Sequence, residues 1–264
     1  MRIQPLHVVK HSAANAFADL KAIYTWKTWT FGWLGRMLAQ TTFFVLVGRL
    51  LDRPDQLPYL VVGNAVMTCA MESMMVIASS IWERFLGTLP LLSAAPARLV
   101  WVFFGRSLQW PLSGAGTSLV ALFTLGPAFG VHWQAARVPA VVLLVLLTAL
   151  GTYCFGLFLA GLVLNAPGIR NIVSNTAYLL MMAVCGVQVP VGFWPHWVQD
   201  AAGCLPLTHS LAAIRELAGP GDTGTVLGQA ALAAVIALGW FAAAYLVFQG
   251  QETRGRRAGT IHFA

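Results

Sequence analysis

Two charged side chains stand deep inside long apolar runs, away from the run ends where Arg36 and Arg49 can snorkel: Glu72 and Arg106, whose types and depths define the first chemistry to consider. A charge isolated in hydrocarbon is costly, so such groups pair, take up a proton or face water. Hydrolytic chemistry needs a nucleophile beside a base. Ser113 and Ser174 lie in apolar runs, but His7, His11, His132, His196, His209 and His262 all lie outside them, so no histidine activates either hydroxyl. His7 and His11 are four apart, a spacing a metal uses on a helix, yet no Cys or carboxylate completes a ligand set, and no metal site is expected. A phosphate-binding loop requires lysine after glycine-rich backbone. Lys10, Lys21 and Lys27 are the only lysines, and none has that setting. Cys69, Cys154 and Cys185 fall in apolar runs and only Cys204 in an expected exterior segment, so neither a disulfide framework nor a CxxC site is indicated.

The elements that must position these groups are set by composition. The 264 residues are 58% hydrophobic and 9% charged, too few charges to give a fold of this size a polar skin. The expected class is an all-α integral membrane protein. The net charge of +7 is spread between apolar runs rather than gathered on one face, which excludes a nucleic-acid surface. Six apolar stretches are near or above the roughly 20 residues needed to cross a bilayer. They lie near Phe31–Leu51, Pro58–Ile81, Leu99–Leu125, Val138–Val163, Ile172–Val189 and Gly224–Phe248. No secretory leader is apparent in residues 1–30. There, Ala13, Phe17, Leu20 and Tyr24 recur at helical spacing, with Trp26, Trp29 and Trp33 following, as in a helix lying in the inner membrane interface. The expected organisation is one membrane unit over 1–264: an interfacial segment (1–30), a six-span bundle (31–248) and a cytoplasmic tail (249–264).

Six crossings put both termini inside, and the basic residues agree. Interior segments then hold ten of the 16, whereas exterior ones hold only Arg53, Arg137 and Arg215; Arg36, Arg49 and Arg106 fall within spans. Measured from the cytoplasmic ends at about 1.5 Å per residue, Glu72 is about 14 Å deep and Arg106 about 11 Å deep on antiparallel neighbours, so the two can meet. A structural ion pair is the leading expectation; a direct part in passage of a solute, and a protonated Glu72, are the alternatives. Ser113 with Thr117, Gly114 with Ser118, and Gly156 with Ala160 permit close helix approach within the bundle or between copies. Met67, Met71, Met74, Met75, Met181 and Met182 either fill core gaps or line a path for apolar solutes.

Two segments do not read as plain loops. On the interior side, Glu83 and Arg84 precede helix-periodic Phe85, Leu89 and Leu92, with Gly87, Thr88, Pro90 and Pro96 as punctuation. This is a short amphipathic element for the membrane surface or for a groove on a cytoplasmic partner. On the exterior side, Pro190–Gly219 is long, aromatic and lightly charged. Its periodicity predicts two short helices joined at Pro206, with Phe193, Trp194, Trp197, Val198, Ala201 and Leu205 on one face and Leu207, Leu211, Ile214 and Leu217 on the other helix. They dip into the outer leaflet, with Arg215 and Glu216 turned to water.

These two segments, in their order around six crossings, resemble the type-2 ABC transporter permeases. The first carries Glu83, Arg84, Gly87, Thr88, Leu89, Leu92 and Pro96; the second carries Pro190, Phe193, Trp194, Pro195, Trp197, Pro206 and Arg215. The likeness is greatest to the drug, lipid and polysaccharide exporter permeases, including the daunorubicin-resistance and nodulation-factor exporters. Pro90 stands where many relatives carry an acid. The resemblance implies that Glu83–Pro96 is a coupling helix docked on a separate cytoplasmic ATPase subunit, and that Pro190–Gly219 forms re-entrant helices over the exterior mouth. It implies a second copy of the chain or a paired permease, no cofactor on this chain, ATP and Mg on the ATPase, and a bacterial plasma membrane with its lipids as surroundings. The expected function is export of a drug-like, lipid-like or natural-product cargo. A proton-coupled secondary transporter is the alternative, with Glu72 as carrier but no inverted repeat, and an intramembrane enzyme is the weaker one.

Overall fold

The computed structural model describes residues 5–23, 25–50, 56–85, 98–164, 166–219 and 221–258. Among them the chain is helical throughout, with no strand. Helix α1 (Pro5–Ile23) is followed by a π-helical segment, Thr28–Leu34, that runs into α2 (Gly35–Leu50). Then come α3 (Leu57–Ser73), α4 (Val76–Phe85), α5 (Leu99–Arg106), α6 (Gln109–Ala128) and α7 (Val138–Val163). The series ends with α8 (Arg170–Val184), α9 (His196–Gly203), α10 (Pro206–Ala218) and α11 (Thr223–Ala258).

Among the described residues, three helical stretches are long and apolar enough to cross a membrane by length and composition, over Leu57–Ser80, Ala135–Val163 and Thr223–Arg254. The first is enclosed by protein over 89% of its apolar window and the last over only 22%. The core therefore sits around α3 and α7, and α11 lies at the edge, packed on α7 and α10. Small residues bring the core helices together. Gly114 of α6 leaves no room for a side chain, since a Cβ there would lie 2.8 Å from the Cys69 carbonyl oxygen and 3.0 Å from Glu72 Cβ. At Gly156 of α7 a Cβ would meet Val76 Cγ1 at 2.7 Å. Both glycines thus serve packing within the bundle. Met67, Met74 and Met181 are buried core residues.

The stretches expected as unbroken second and third spans are each interrupted. Met74 and Met75 separate α3 from α4, and Ser107 and Leu108 separate α5 from α6. Backbone carbonyls released at membrane depth need a donor from protein or water. At the second break, Tyr153 of α7 supplies one: its hydroxyl donates to the Phe104 carbonyl at 2.7 Å and lies 2.9 Å from Ser107 Oγ. The first break packs on Gly156, one turn further along α7. A single helix thus supports both interruptions.

Helix α1 starts earlier and stops earlier than the periodicity predicts. Thr25 and Thr28 explain its end, because Thr28 N donates to Thr25 Oγ1 (3.3 Å) and Thr25 N to Thr28 Oγ1 (2.9 Å). Such reciprocal bonding begins a new helix. Nor does α1 merely lie free: Gly105 of α5 has room only for hydrogen, with Ser12 Cβ and the Val9 carbonyl each 2.7 Å from a built Cβ. Ala16 is buried in the same seam.

Candidate transport site

Glu72 lies in the last turn of α3, fully buried against α6. Thr117, Ser113 and Trp33 turn their polar groups to its carboxyl. The neighbouring hydroxyls of Ser73, Thr117 and Ser118 are fully buried as well. The expected pair with Arg106 does not form. Arg106 ends α5 just before the Ser107–Leu108 break, and its guanidinium meets Asp19 of α1 at 3.5 Å instead. An unbroken helix would have carried Arg106 at the depth and on the face that the rise per residue implies; the break removes that premise.

The π-helical segment shapes the same region from the other side. Its backbone is wider than an α-helix, and such segments recur at functional sites. Trp33 faces Glu72, and Trp29 Nε1 donates to Ser113 Oγ at 3.3 Å. Beside them a cavity of about 300 Å³ opens between α1 and α6, with Phe17, Leu20, Trp26 and Trp29 on its apolar side and Gln109 and Ser113 on its polar side. Gln109 is 7% exposed, and its Oε1 is buried without a partner. Ser113 therefore lies between the cavity and Glu72.

At the opposite end of α3, Arg215 of α10 makes several polar contacts at once. It donates to the Gly186 carbonyl (2.7 Å), the Tyr59 carbonyl (3.1 Å) and the Val187 carbonyl (3.3 Å). Its guanidinium also lies 3.4 Å from the centre of the Tyr59 ring. The sequence pattern turns Arg215 to water; in the structure it points inward, because the chain reverses after α8 with Gly186 in the left-handed region (φ 84°), which exposes carbonyls that need donors. Burial pulls the Arg215 pKa down to about 10, with Tyr59 opposing the fall, so the group stays charged at neutral pH. Tyr59 Oη donates to the Gly186 carbonyl at 2.6 Å, and Gln188 Nε2 donates to Asn64 Oδ1 at 2.8 Å. These contacts tie α3, the end of α8 and α10 together.

The remaining candidates are distributed as follows. Pro190 precedes a short 3-10 turn, Val191–Phe193, and Pro195 and Pro206 open α9 and α10. Leu207, Leu211 and Ile214 are buried, whereas Phe193 and Trp197 are 73% and 74% exposed. Trp194 is half-buried. Glu83, Arg84 and Phe85 end α4. Gly87, Thr88, Leu89, Leu92 and Pro96 lie outside the described residues. His7 and His11 stack edge to face at 4.3 Å, and no group of three His, Cys, Asp or Glu gathers among the described residues. Sequence reasoning missed Tyr59, Tyr153 and Gln109. Their types signal a buried polar handle, but their partners are backbone groups or space made by other elements.

The family description of the ABC-2 type transporters matches residues 18–218, which includes the broken helices, the Glu72 region and the Arg215 clamp. The chain belongs to that family. No curated protein matches it. As an ABC-2 membrane domain it is a permease component of an ABC transporter, a membrane protein rather than a self-contained enzyme. Permeases of the ABC-2 family normally work with an ATPase subunit.

Proposed function

We propose that this ABC-2 permease is the membrane half of an ATP-driven exporter that moves a drug-like, lipid-like or natural-product cargo outward. The family match over residues 18–218 carries the reading, and the three lysines without a phosphate-loop setting agree with nucleotide bound on another polypeptide. In this reading the chain crosses the membrane six times with both termini in the cytoplasm of a bacterial cell. The π–α2 segment, α3–α4, α5–α6, α7, α8 and α11 are the crossings. Two copies, or this chain and a related permease, enclose the path.

The ATPase pushes on Glu83–Pro96, and the push enters the bundle through α4. The break at Met74–Met75 lets α4 tilt while α3 stays fixed by Arg215 and the Asn64–Gln188 pair. Short α9 and α10 cover the exterior mouth, with Phe193 and Trp197 at headgroup level. A photo-crosslinking amino acid at Leu89 tests the coupling role. In the cells that make this chain, crosslinking to an ABC ATPase that changes with nucleotide is the expected result; crosslinking to lipid alone refutes it.

A further inference from the structure

We propose that an anionic phospholipid of the leaflet in which α1 lies inserts an acyl chain into the cavity between α1 and α6 and sets its phosphate beside Lys21 and Lys27. This goes beyond the transport reading and needs only that the chain sits in a membrane. Helix α1 fits closely along one seam, where Val9 and Ser12 meet Gly105 of α5 and Ala16 is buried. Past that seam, Phe17 and Leu20 share a face and stand off from Leu112 and Ser113 of α6, with about 300 Å³ left between the helices. Trp26 and Trp29 complete the apolar wall. An apolar cleft open to a bilayer is filled by hydrocarbon, because water would gain nothing from that wall. Trp26 is 70% exposed and Phe31 shortly after it 77%, the placing of aromatic rings at headgroup level, so the cleft opens where a lipid's chains meet its phosphate.

The charge at this mouth selects the headgroup. Among the described residues that line the cavity, Lys21 is the only charged one; it is exposed, in the last turn of α1. Lys27 is exposed as well, and its Nζ lies 5.6 Å from the ring centre of Trp26, itself part of the wall. Asp19 is the one acid of α1, and it does not offset them: two positions from Lys21 it points to another side and meets Arg106 of α5 at 3.5 Å. Two ammonium groups therefore flank an apolar cleft that no carboxylate lines. A phosphodiester accepts charge-assisted hydrogen bonds from both, while a zwitterionic lipid brings a like charge to them. Lysines at a membrane surface favour anionic lipid by about fivefold each, and the cleft adds a seat for the chain that surface charge alone lacks.

Phosphatidylglycerol and phosphatidylcholine probes, each carrying a diazirine in one acyl chain, test this on the purified full chain in phosphatidylcholine nanodiscs, with labelled peptides mapped by mass spectrometry. At equal trace amounts the phosphatidylglycerol probe is expected to label the α1 and α6 peptides about fivefold or more above the phosphatidylcholine probe. Peptides of α11, which faces lipid over most of its length, should take both probes equally. Lys21→Gln with Lys27→Gln should abolish the preference, and Lys21→Arg with Lys27→Arg should keep it; all four changes are at exposed positions and leave the packing as it is. Leu112→Trp, at a half-exposed position, fills the cleft and should cut labelling of α1 and α6 by both probes but not that of α11. Glycerol phosphate, which has no chain, should not compete. Equal labelling by the two probes, or a preference that survives the double glutamine variant, overturns the proposal. So does α1 and α6 labelling that Leu112→Trp leaves unchanged, or that glycerol phosphate displaces, since either would mean a basic surface without a chain site. Because no ATPase is present, these outcomes are independent of whether the chain is an ATP-driven permease.

Discussion

Replacing Arg215 with alanine removes three donated hydrogen bonds and a ring stack in one step. A bond from a charged donor contributes about 1.5–3 kcal/mol net, and a partly desolvated cation over an aromatic face about 1–2 kcal/mol. These terms do not add fully. The Gly186 carbonyl keeps its bond from Tyr59 Oη, and removing a buried cation recovers part of its desolvation cost. The expected net loss is about 2–4 kcal/mol, which corresponds to a fall of roughly 5–15 °C in the melting temperature of a chain this size. Lysine at the same position keeps the charge but cannot span three carbonyls from one planar group, so Arg215→Lys should recover less than half the loss. A local readout separates detachment of α10 from general weakening. Ala213 is fully buried on α10, so in a Cys204→Ser background an Ala213→Cys reporter should resist a membrane-impermeant maleimide and become reactive when Arg215→Ala is added. An unchanged melting temperature together with an unreactive reporter would refute the clamp.

Further expectations follow from the packing. Tyr153→Phe should cost about 1–3 kcal/mol, measured by chemical denaturation in detergent, because the Phe104 carbonyl loses its donor inside the bundle. Gly114→Ala should cost about 1–3 kcal/mol in the same assay, since the added carbon meets the Cys69 carbonyl at 2.8 Å. The Arg106–Asp19 pair is partly exposed on both sides, and a double-mutant cycle on melting temperature should return no more than about 1 kcal/mol of coupling. A larger coupling would mean that α1 is held mainly by charge rather than by its close fit at Gly105.

Much of the architecture is legible in hydropathy, because an apolar run of membrane length is rarely buried any other way than in a bilayer. The run near Val138–Val163 coincides with α7, and the proline at position 206 opens α10. The breaks are not legible. Met74 and Met75 carry no helix-breaking chemistry, and the interruption persists because α7 supplies a close glycine there and a hydroxyl at the neighbouring break. The same cause misdirects the Glu72–Arg106 expectation, which needs an uninterrupted rise along both spans. The charge and exterior position of Arg215 point it to water, whereas its acceptors at Gly186 and Val187 belong to a turn about 30 residues away in sequence. The cavity under α1 needs the Thr25–Thr28 cap and the π-helical turn after it, and neither has a hydropathy signature.

Proteoliposomes carrying this chain with a co-purified ABC ATPase give the most direct test of the energy source. Accumulation of a fluorescent amphiphilic dye is expected only when ATP is supplied on the ATPase side, and it should stop when that ATPase cannot hydrolyse. Accumulation by the chain alone, driven by an imposed proton gradient, would contradict an ATP-powered permease.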